Sequence, residues 1–275
     1  MKIPDYPCKH NISTNFLNPQ SNVLSPEEIA QSARDLKQKN HISFCMLPFE
    51  HTLEAAALTG SASSLNHTNI KFHNLQEILS LPAIDLDAPE ITAVLHASSL
   101  LLSQGEKIVF QLSGPLTILN QLLPLEIVFL EMIKHPQLVL DVFSKLGNDI
   151  VLLAKLAESY GIQIFSYADP CAGVTILGPK RLKILTSTFM FPLLKQLDAH
   201  LNSQDVVVLC PKTALALIAS ELAGWKEHPL PQMTTYTEAL FSLQKQIRFC
   251  GQTCINQNPS LQRFLEIKLI DESSD

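Results

Sequence analysis

Short apolar runs separated by capped amphipathic segments recur along the chain, and this alternation restricts the fold more than any other feature. Ser25-Pro26-Glu27-Glu28 reads as a capping box with proline at the first helical position, opening a helix that runs to about Gln38. "HISFCM" (41–46) follows as a strand. Asp87-Ala88-Pro89-Glu90 opens a second capped helix of the same kind, which ends near Gly105 and leads into the strand "KIVFQL" (107–112). Val139, Val142, Phe143, Leu146, Ile150, Leu153 and Ala157 keep a helical period, and Gly161 closes that helix before the strand "IQIFSY". "DVVVLC" (205–210) is a further buried strand, followed by the helix-like "TALALIASELAG" and "TTYTEALFSLQK". "QIRFC" reads as the last strand, "SLQRFLEIKLI" as a closing helix and "DESSD" as a solvated tail.

Strands alternating with helices predict parallel βαβ units with both sheet faces covered, and therefore an α/β protein. A TIM-type (β/α) barrel and a doubly wound open sheet both satisfy the pattern. No Gly-x-Gly-x-x-Gly or Walker-type loop follows the first strand, which favours the barrel. No repeat or linker divides the chain, so residues 1–275 are expected to form one barrel domain. With 46% hydrophobic residues the chain can fill such a core.

Charge and cysteine usage narrow the partners. The formal charge of −6, without a Lys/Arg block, lacks the electrostatic footprint of non-specific phosphate-backbone binding, so a small-molecule substrate is expected and nucleic acid is not. "MKIPDYPCKHNIS" has charges and prolines where a signal peptide needs an apolar run, and "LLPLEIVFLEMIK" is too short for a membrane span and carries two glutamates. A cytoplasmic protein is expected, with its six cysteines reduced. "CGQTC" (250–254) is then a metal site, a reactive thiol or two packed small residues rather than half a structural disulfide.

In a parallel barrel, chemistry sits at the C-terminal ends of the strands and in the loops after them. That rule selects Glu50, His51 and Glu54 after "HISFCM", the Gly114-Pro115 turn after "KIVFQL", Asp169 and Cys171 after "IQIFSY", Cys210 after "DVVVL", and Cys250 and Cys254 after "QIRF". Lys212, beside Cys210, has the chemistry of an anion contact at a helix N-terminus or of a solvated lysine.

These segments, in this order, resemble the superfamily of uroporphyrinogen decarboxylases and zinc-dependent cobalamin methyltransferases, nearest the methylcobamide:coenzyme M methyltransferase branch. "LPFEHTLEAAALTG" is similar to that branch's Pro-Phe-…-Glu-Ala-…-Leu-Gly block. "IDLDAPEI" with "FQLSGPLTIL", "YADPCAG" with "LGPK", and "GQTCINQNPSLQRF" resemble its later motifs, and together the matches cover roughly residues 40 to 265. The resemblance implies a barrel that moves a methyl group between a corrinoid, presented by a partner corrinoid protein, and a small thiol acceptor. It implies a zinc held by a His-x-Cys at one strand end and a distant Cys after the last strand, which binds the thiol as thiolate.

Carried onto this chain, Cys210 falls at the Cys of His-x-Cys and Cys254 at the distant Cys, while the histidine's position holds Val208. Val208 cannot bind a metal, and about one βα unit is missing between Cys210 and Cys254 relative to an eight-fold barrel. Two readings of the cysteines stay open: zinc thiolates completed by His51, or small buried residues in an inherited fold. Glu54 matches the family's glutamate and suits metal binding or uptake of the thiol proton, against a plain helix-N-terminal carboxylate. Asp169 is read as a second catalytic carboxylate or a turn residue, and Gly114 as a point of close backbone approach to the corrinoid or a structural turn.

Three functions follow: a methyltransferase with an altered zinc site, a non-catalytic or regulatory homologue that has lost zinc, and a decarboxylase-like tetrapyrrole enzyme. The last needs arginines around its pyrrole acids. Arg34, Arg181, Arg248 and Arg263 are the whole supply, and none falls in an N-terminal site loop.

Overall fold

The computed structural model describes residues 25–60 and 72–270, so Cys8, His10, the N-terminal "MKIPDYPCKHNIS" and the "DESSD" tail lie outside the described residues. The protein is α/β, and its described residues fall into two compact units, 25–162 and 163–270.

The first unit opens with α1 (Pro26–Lys39), started by the expected capping box: Glu28 N donates to Ser25 Oγ (3.3 Å) and Ser25 N to Glu28 Oε2 (2.8 Å). β1 (Cys45–Leu47) leads into α2 (Leu53–Thr59), and α3 (Leu75–Leu79) and α4 (Pro89–Ser103) follow. The expected cap on α4 is not made: its N-cap is Ala88, which has no side-chain acceptor, and Pro89 alone marks the start. β2 (Ile108–Ser113) pairs in parallel with β1, from Cys45↔Ile108 to Leu47↔Phe110, and all six of its residues are buried. That is the signature of a strand covered on both faces.

α5 (Pro115–Leu122) leaves β2 directly, and α6 (Leu125–Lys134) and α7 (Pro136–Ser159) complete the unit. α7 buries all seven residues of the helical period read from the sequence, and Gly161 ends it with φ +88°, a left-handed conformation that favours glycine. Asp149, buried on α7, accepts from Ile84 N (3.1 Å) and Lys145 Nζ (2.9 Å), fixing the segment before α4 to the long helix.

The second unit contains β3 (Ile164–Ala168), α8 (Val174–Leu185), a π-turn (Thr186–Met190), α9 (Phe191–His200), β4 (Val206–Leu209) and α10 (Pro211–Ala219). β5 (Ala223–Thr235), α11 (Tyr236–Leu243), β6 (Phe249–Cys250) and β7 (Ser260–Leu269) follow. Its strand order is β3-β4-β6-β7-β5, with β3, β4 and β6 parallel and β7 antiparallel to both β6 and β5. The strands of neither unit close into a ring on their own.

Two elements depart from the sequence reading. "SLQRFLEIKLI" is a strand, not a helix, and "AGWKEHPLPQMTT", which carried no strand signal, is its long antiparallel partner. Leu261, Phe264 and Leu265 mimic a helical period because Glu266 occupies a buried position of β7 where strand alternation calls for an apolar residue. The register sets out one row of side chains on a common face: Ser166, Val208, Cys250, Glu266 and Lys226. Glu266 keeps its charge through contacts with Lys268 Nζ (2.6 Å), His228 Nε2 (2.9 Å) and Lys226 Nζ (3.7 Å). Burial pushes its carboxyl up, but the hydrogen bonds from Lys268 and His228 and the charges of Lys268 and Lys226 together outweigh burial and hold it below the ordinary range.

Candidate functional site

In the first unit the chemistry gathers where β1 and β2 end side by side. α2 starts just after β1, which carries Glu54 inward in the helix's first turn, where its residue is 1% exposed. Both carboxylate oxygens meet Ser113, the last residue of β2: Ser113 N donates to Oε1 at 2.7 Å, and Ser113 Oγ lies 2.8 Å from Oε2. His51 joins from the loop after β1, with Nδ1 3.2 Å from Ser113 Oγ. Burial pushes the Glu54 carboxyl up and the Ser113 hydrogen bonds pull it down, burial being the larger effect. Glu54 is thus a buried acid rather than an exposed helix-terminal carboxylate. Gly114, next in the chain, is the N-cap of α5 with φ −77°, a conformation that demands no glycine, so its use is local smallness at the strand end.

In the second unit the strand ends carry Asp169, Cys171 and Cys210. Asp169 is buried at the start of a short 3₁₀ turn (Pro170–Ala172), and its carbonyl accepts from Ala172 N at 2.9 Å. Cys210 is the N-cap of α10, and its N–H donates to Tyr167 O (2.9 Å), tying the ends of β3 and β4 together. Lys212 lies across the backbone at Gly173: a Cβ placed on Gly173 would be 3.2 Å from Lys212 Nζ. Tyr167 is fully buried and its hydroxyl has no partner among the described residues. Burial, then the charges of Asp169 and Cys210, push that phenol well above its usual range.

Cys254 sits in the loop after β6, whose first residue, Gly251, is pressed against the end of β4. A Cβ there would be 2.7 Å from Leu209 O. Cys210 and Cys254 therefore occupy the loops that follow two adjacent parallel strands. Cys250 is different: it is wholly buried, Tyr236 Oη donates to its Sγ at 3.4 Å, and burial pushes its thiol up to about 12. It is a packing residue, as its strand position predicts.

A zinc centre of the family's kind needs three protein donors. Among the described residues no three His, Cys, Asp or Glu side chains converge as a metal-ligating group. Val208 is buried between Ser166 and Cys250 in its row, so hydrocarbon fills the place of the expected histidine. The described residues do not fit that three-donor centre. Arg248 is structural: its guanidinium donates to the carbonyls of Leu197, Leu201 and Asn202 at the end of α9 and to Asp198 Oδ1. Among the described residues no single helix is long and apolar enough to cross a membrane.

Ser113 and Tyr167 were not singled out by sequence. A serine or tyrosine inside an apolar strand carries no signal of its own; only a strand register extended to its last residue draws attention to Ser113.

No protein-family model matches the chain, and no curated protein does. Among solved structures, the chain is similar to a methyltransferase from Methanosarcina mazei, with 18% sequence identity and a TM-score of 0.55. The match covers 72% of this chain and 60% of that one. The likeness is one of fold: the backbone is methyltransferase-like, while so low an identity leaves the chemistry to the side chains.

Proposed function

We propose that this protein is a methyl-transfer protein of the corrinoid-dependent type, built on a (β/α)-barrel scaffold. It would pass a methyl group between a corrinoid, held by a partner corrinoid protein, and a small thiol acceptor. The fold likeness to a methyltransferase supports this reading, together with the placement of Glu54, Asp169, Cys210 and Cys254 at or just beyond strand ends. In this reading Glu54 and Asp169 are the acid–base groups, and Gly114 keeps the strand end small where the corrinoid approaches. Cys210 and Cys254 are the remaining thiol donors for a metal, and His51 is assigned to acid–base work through Ser113.

The test is thioether formation. The full chain is incubated with methylcobalamin and a panel of small thiols, the product is read by mass spectrometry, and metal content is measured for the wild type, Cys210→Ser and Cys254→Ser. Thioether above the protein-free rate that Glu54→Gln suppresses supports methyl transfer. No product, with or without added zinc and with a protein-bound methylcorrinoid as donor, refutes it.

One observation favours a second reading, a non-catalytic homologue that has lost zinc: the row position of the family's histidine is filled by Val208, and no three-donor group forms among the described residues. A metal-free protein whose stability is unchanged by both cysteine substitutions would select it.

A further inference from the structure

α6 is built largely of apolar residues, yet Val128 is the only one of its ten that is buried where it packs on α5 and α7. On the opposite side Leu130 is 47% exposed and Ile133 63%. An ordinary surface helix turns its apolar stripe inward and its polar residues out; α6 presents a second apolar stripe to solvent. At about 3.6 residues per turn, Glu126, Leu130, Ile133 and Lys134 share this outer face, being spaced i, i+4, i+7 and i+8. Glu126 and Lys134 are exposed, and Ile127 is half-buried at the edge. Among the described residues neither Glu126 nor Lys134 takes part in an ion pair. Glu131, by contrast, already contacts His135 Nδ1 at 2.6 Å and lies off this face. The helix dipole accounts for an acid at the start and a base at the end. It does not account for the exposed leucine and isoleucine between them.

We propose that the outer face of α6 is a self-association surface, which pairs antiparallel with α6 of a second copy of this chain in a reversible dimer. The face is complementary to itself. Glu126 lies one turn before Leu130 and Lys134 one turn after it, about 6 Å along the axis in each direction at about 1.5 Å per residue. In an isologous contact residue i faces residue j while j faces i. With the two-fold axis at Leu130, that residue meets its own copy, and Ile127 stands level with the partner's Ile133. Glu126 then stands level with the partner's Lys134, and the pair occurs twice. Parallel pairing would set like charge against like, so charge selects the antiparallel arrangement. A lipid surface fits this face less well. Helices that lie on membranes are rich in lysine and arginine, whereas α6 has two glutamates and one lysine, and its apolar continuation into α5 is broken by a bend of 120°. A stable interface buries about 800 Å² per partner, more than one face of a ten-residue helix supplies. The dimer is therefore weak, with a dissociation constant of about 10 μM to about 1 mM. The assignment goes beyond the methyl-transfer reading and does not depend on it, because α6 carries none of the residues given a role there.

Sedimentation velocity of the full chain between about 1 μM and about 1 mM reads the association directly. The wild type is expected to pass from monomer to dimer across that range. Glu126→Lys and Lys134→Glu each set like charges level with one another and should weaken the dimer about tenfold or more. Mixed in equal amounts, the two variants regain both oppositely charged pairs and should associate as the wild type does; the double variant Glu126→Lys/Lys134→Glu should do the same alone. Leu130→Asp should remain monomeric. All three positions are exposed, so circular dichroism should show the fold unchanged in every variant. A monomer at every concentration overturns the proposal, and flotation with phosphatidylcholine vesicles that Leu130→Asp abolishes would then assign the face to lipid. A dimer that survives Leu130→Asp, or charge-reversed variants that fail to rescue each other, overturns it equally. The readout involves no methyl transfer, so failure of the association and failure of the proposed reaction are separate results.

Discussion

Gly251→Ala tests how tightly the two cysteine-bearing loops are held. The added methyl would meet Leu209 O at 2.7 Å, and Leu209 Cβ and Ala214 Cβ each at 3.1 Å. The closest of these is a backbone oxygen at the end of a parallel strand, which cannot rotate away as a side-chain tip can, and 2.7 Å is 0.3 Å inside the 3.0 Å that real Cβ contacts respect. Relief requires the β6 loop to move off β4, which is overpacking and costs about 1–3 kcal/mol. Gly224→Ala is the control, since a Cβ at that strand position meets nothing within 4 Å. It should be neutral or stabilise by roughly 0.5–1 kcal/mol, because glycine loses more backbone entropy on ordering than alanine. Urea unfolding at equilibrium, with unchanged slope, gives both values. Equal midpoints for Gly251→Ala and the wild type would refute the close packing of the Cys254 loop on the Cys210 turn.

Other perturbations follow from burial and charge. Tyr167→Phe removes a buried hydroxyl that has no partner among the described residues, so thermal unfolding should show stability unchanged or higher by up to about 1–3 kcal/mol; a clear loss would mean that the hydroxyl is already satisfied. Glu266 and Glu54 should shape the acid limb with opposite signs. Glu266 is held below 4.5 in the fold, so its contribution is present above 4.5 and is lost as pH falls through the lower folded value. Glu54 is raised, so the fold binds its proton more tightly than the open chain, and stability declines as pH rises from 4.5 through the folded value. Chemical denaturation between pH 3 and about 8 should therefore show Glu266→Gln flattening the acid loss, and Glu54→Gln gaining relative to the wild type as pH rises. Iodoacetamide at pH about 8 should label Cys171, Cys210 and Cys254 before Cys45 and Cys250, whose thiols burial pushes up to about 11 and about 12. Mass spectrometry of timed samples checks the order.

The first half of the fold could be read because its signals are local. Ser25 and Glu28 form their capping box, the α7 period survives to the last residue, and β2 is a mainly apolar run in which only Gln111 and the terminal Ser113 are polar. The second half misleads where a tertiary demand overrides pattern. Glu266 breaks the alternation of β7 because Lys226 and His228 of β5, together with Lys268 of β7, meet it there, and the two β5 partners, about forty residues away in sequence, are invisible in a local window. β5 was missed because Gly224, Pro229 and Pro231 are loop residues by composition, yet an outer strand tolerates them. Among the site residues, Glu54 was legible from its place after β1. Ser113, which gives that carboxylate its hydrogen bonds, gained meaning only when the parallel register brought the two strand ends together.

The β5–β7 ribbon has a further consequence for how these molecules behave in a crowded solution. Among the described residues β5 pairs with β7 alone, and over thirteen residues it would offer a long template for a strand from another molecule. Pro229 and Pro231 withhold two amide donors within three positions, and the pairing register shifts between Pro229 and Thr234. Lys226 and Glu227 add charge along the same strand. An approaching strand therefore finds an interrupted, charged ladder and cannot zip along it, so the outer strand that carries no strand signal in the sequence is also the one built against sheet-to-sheet aggregation.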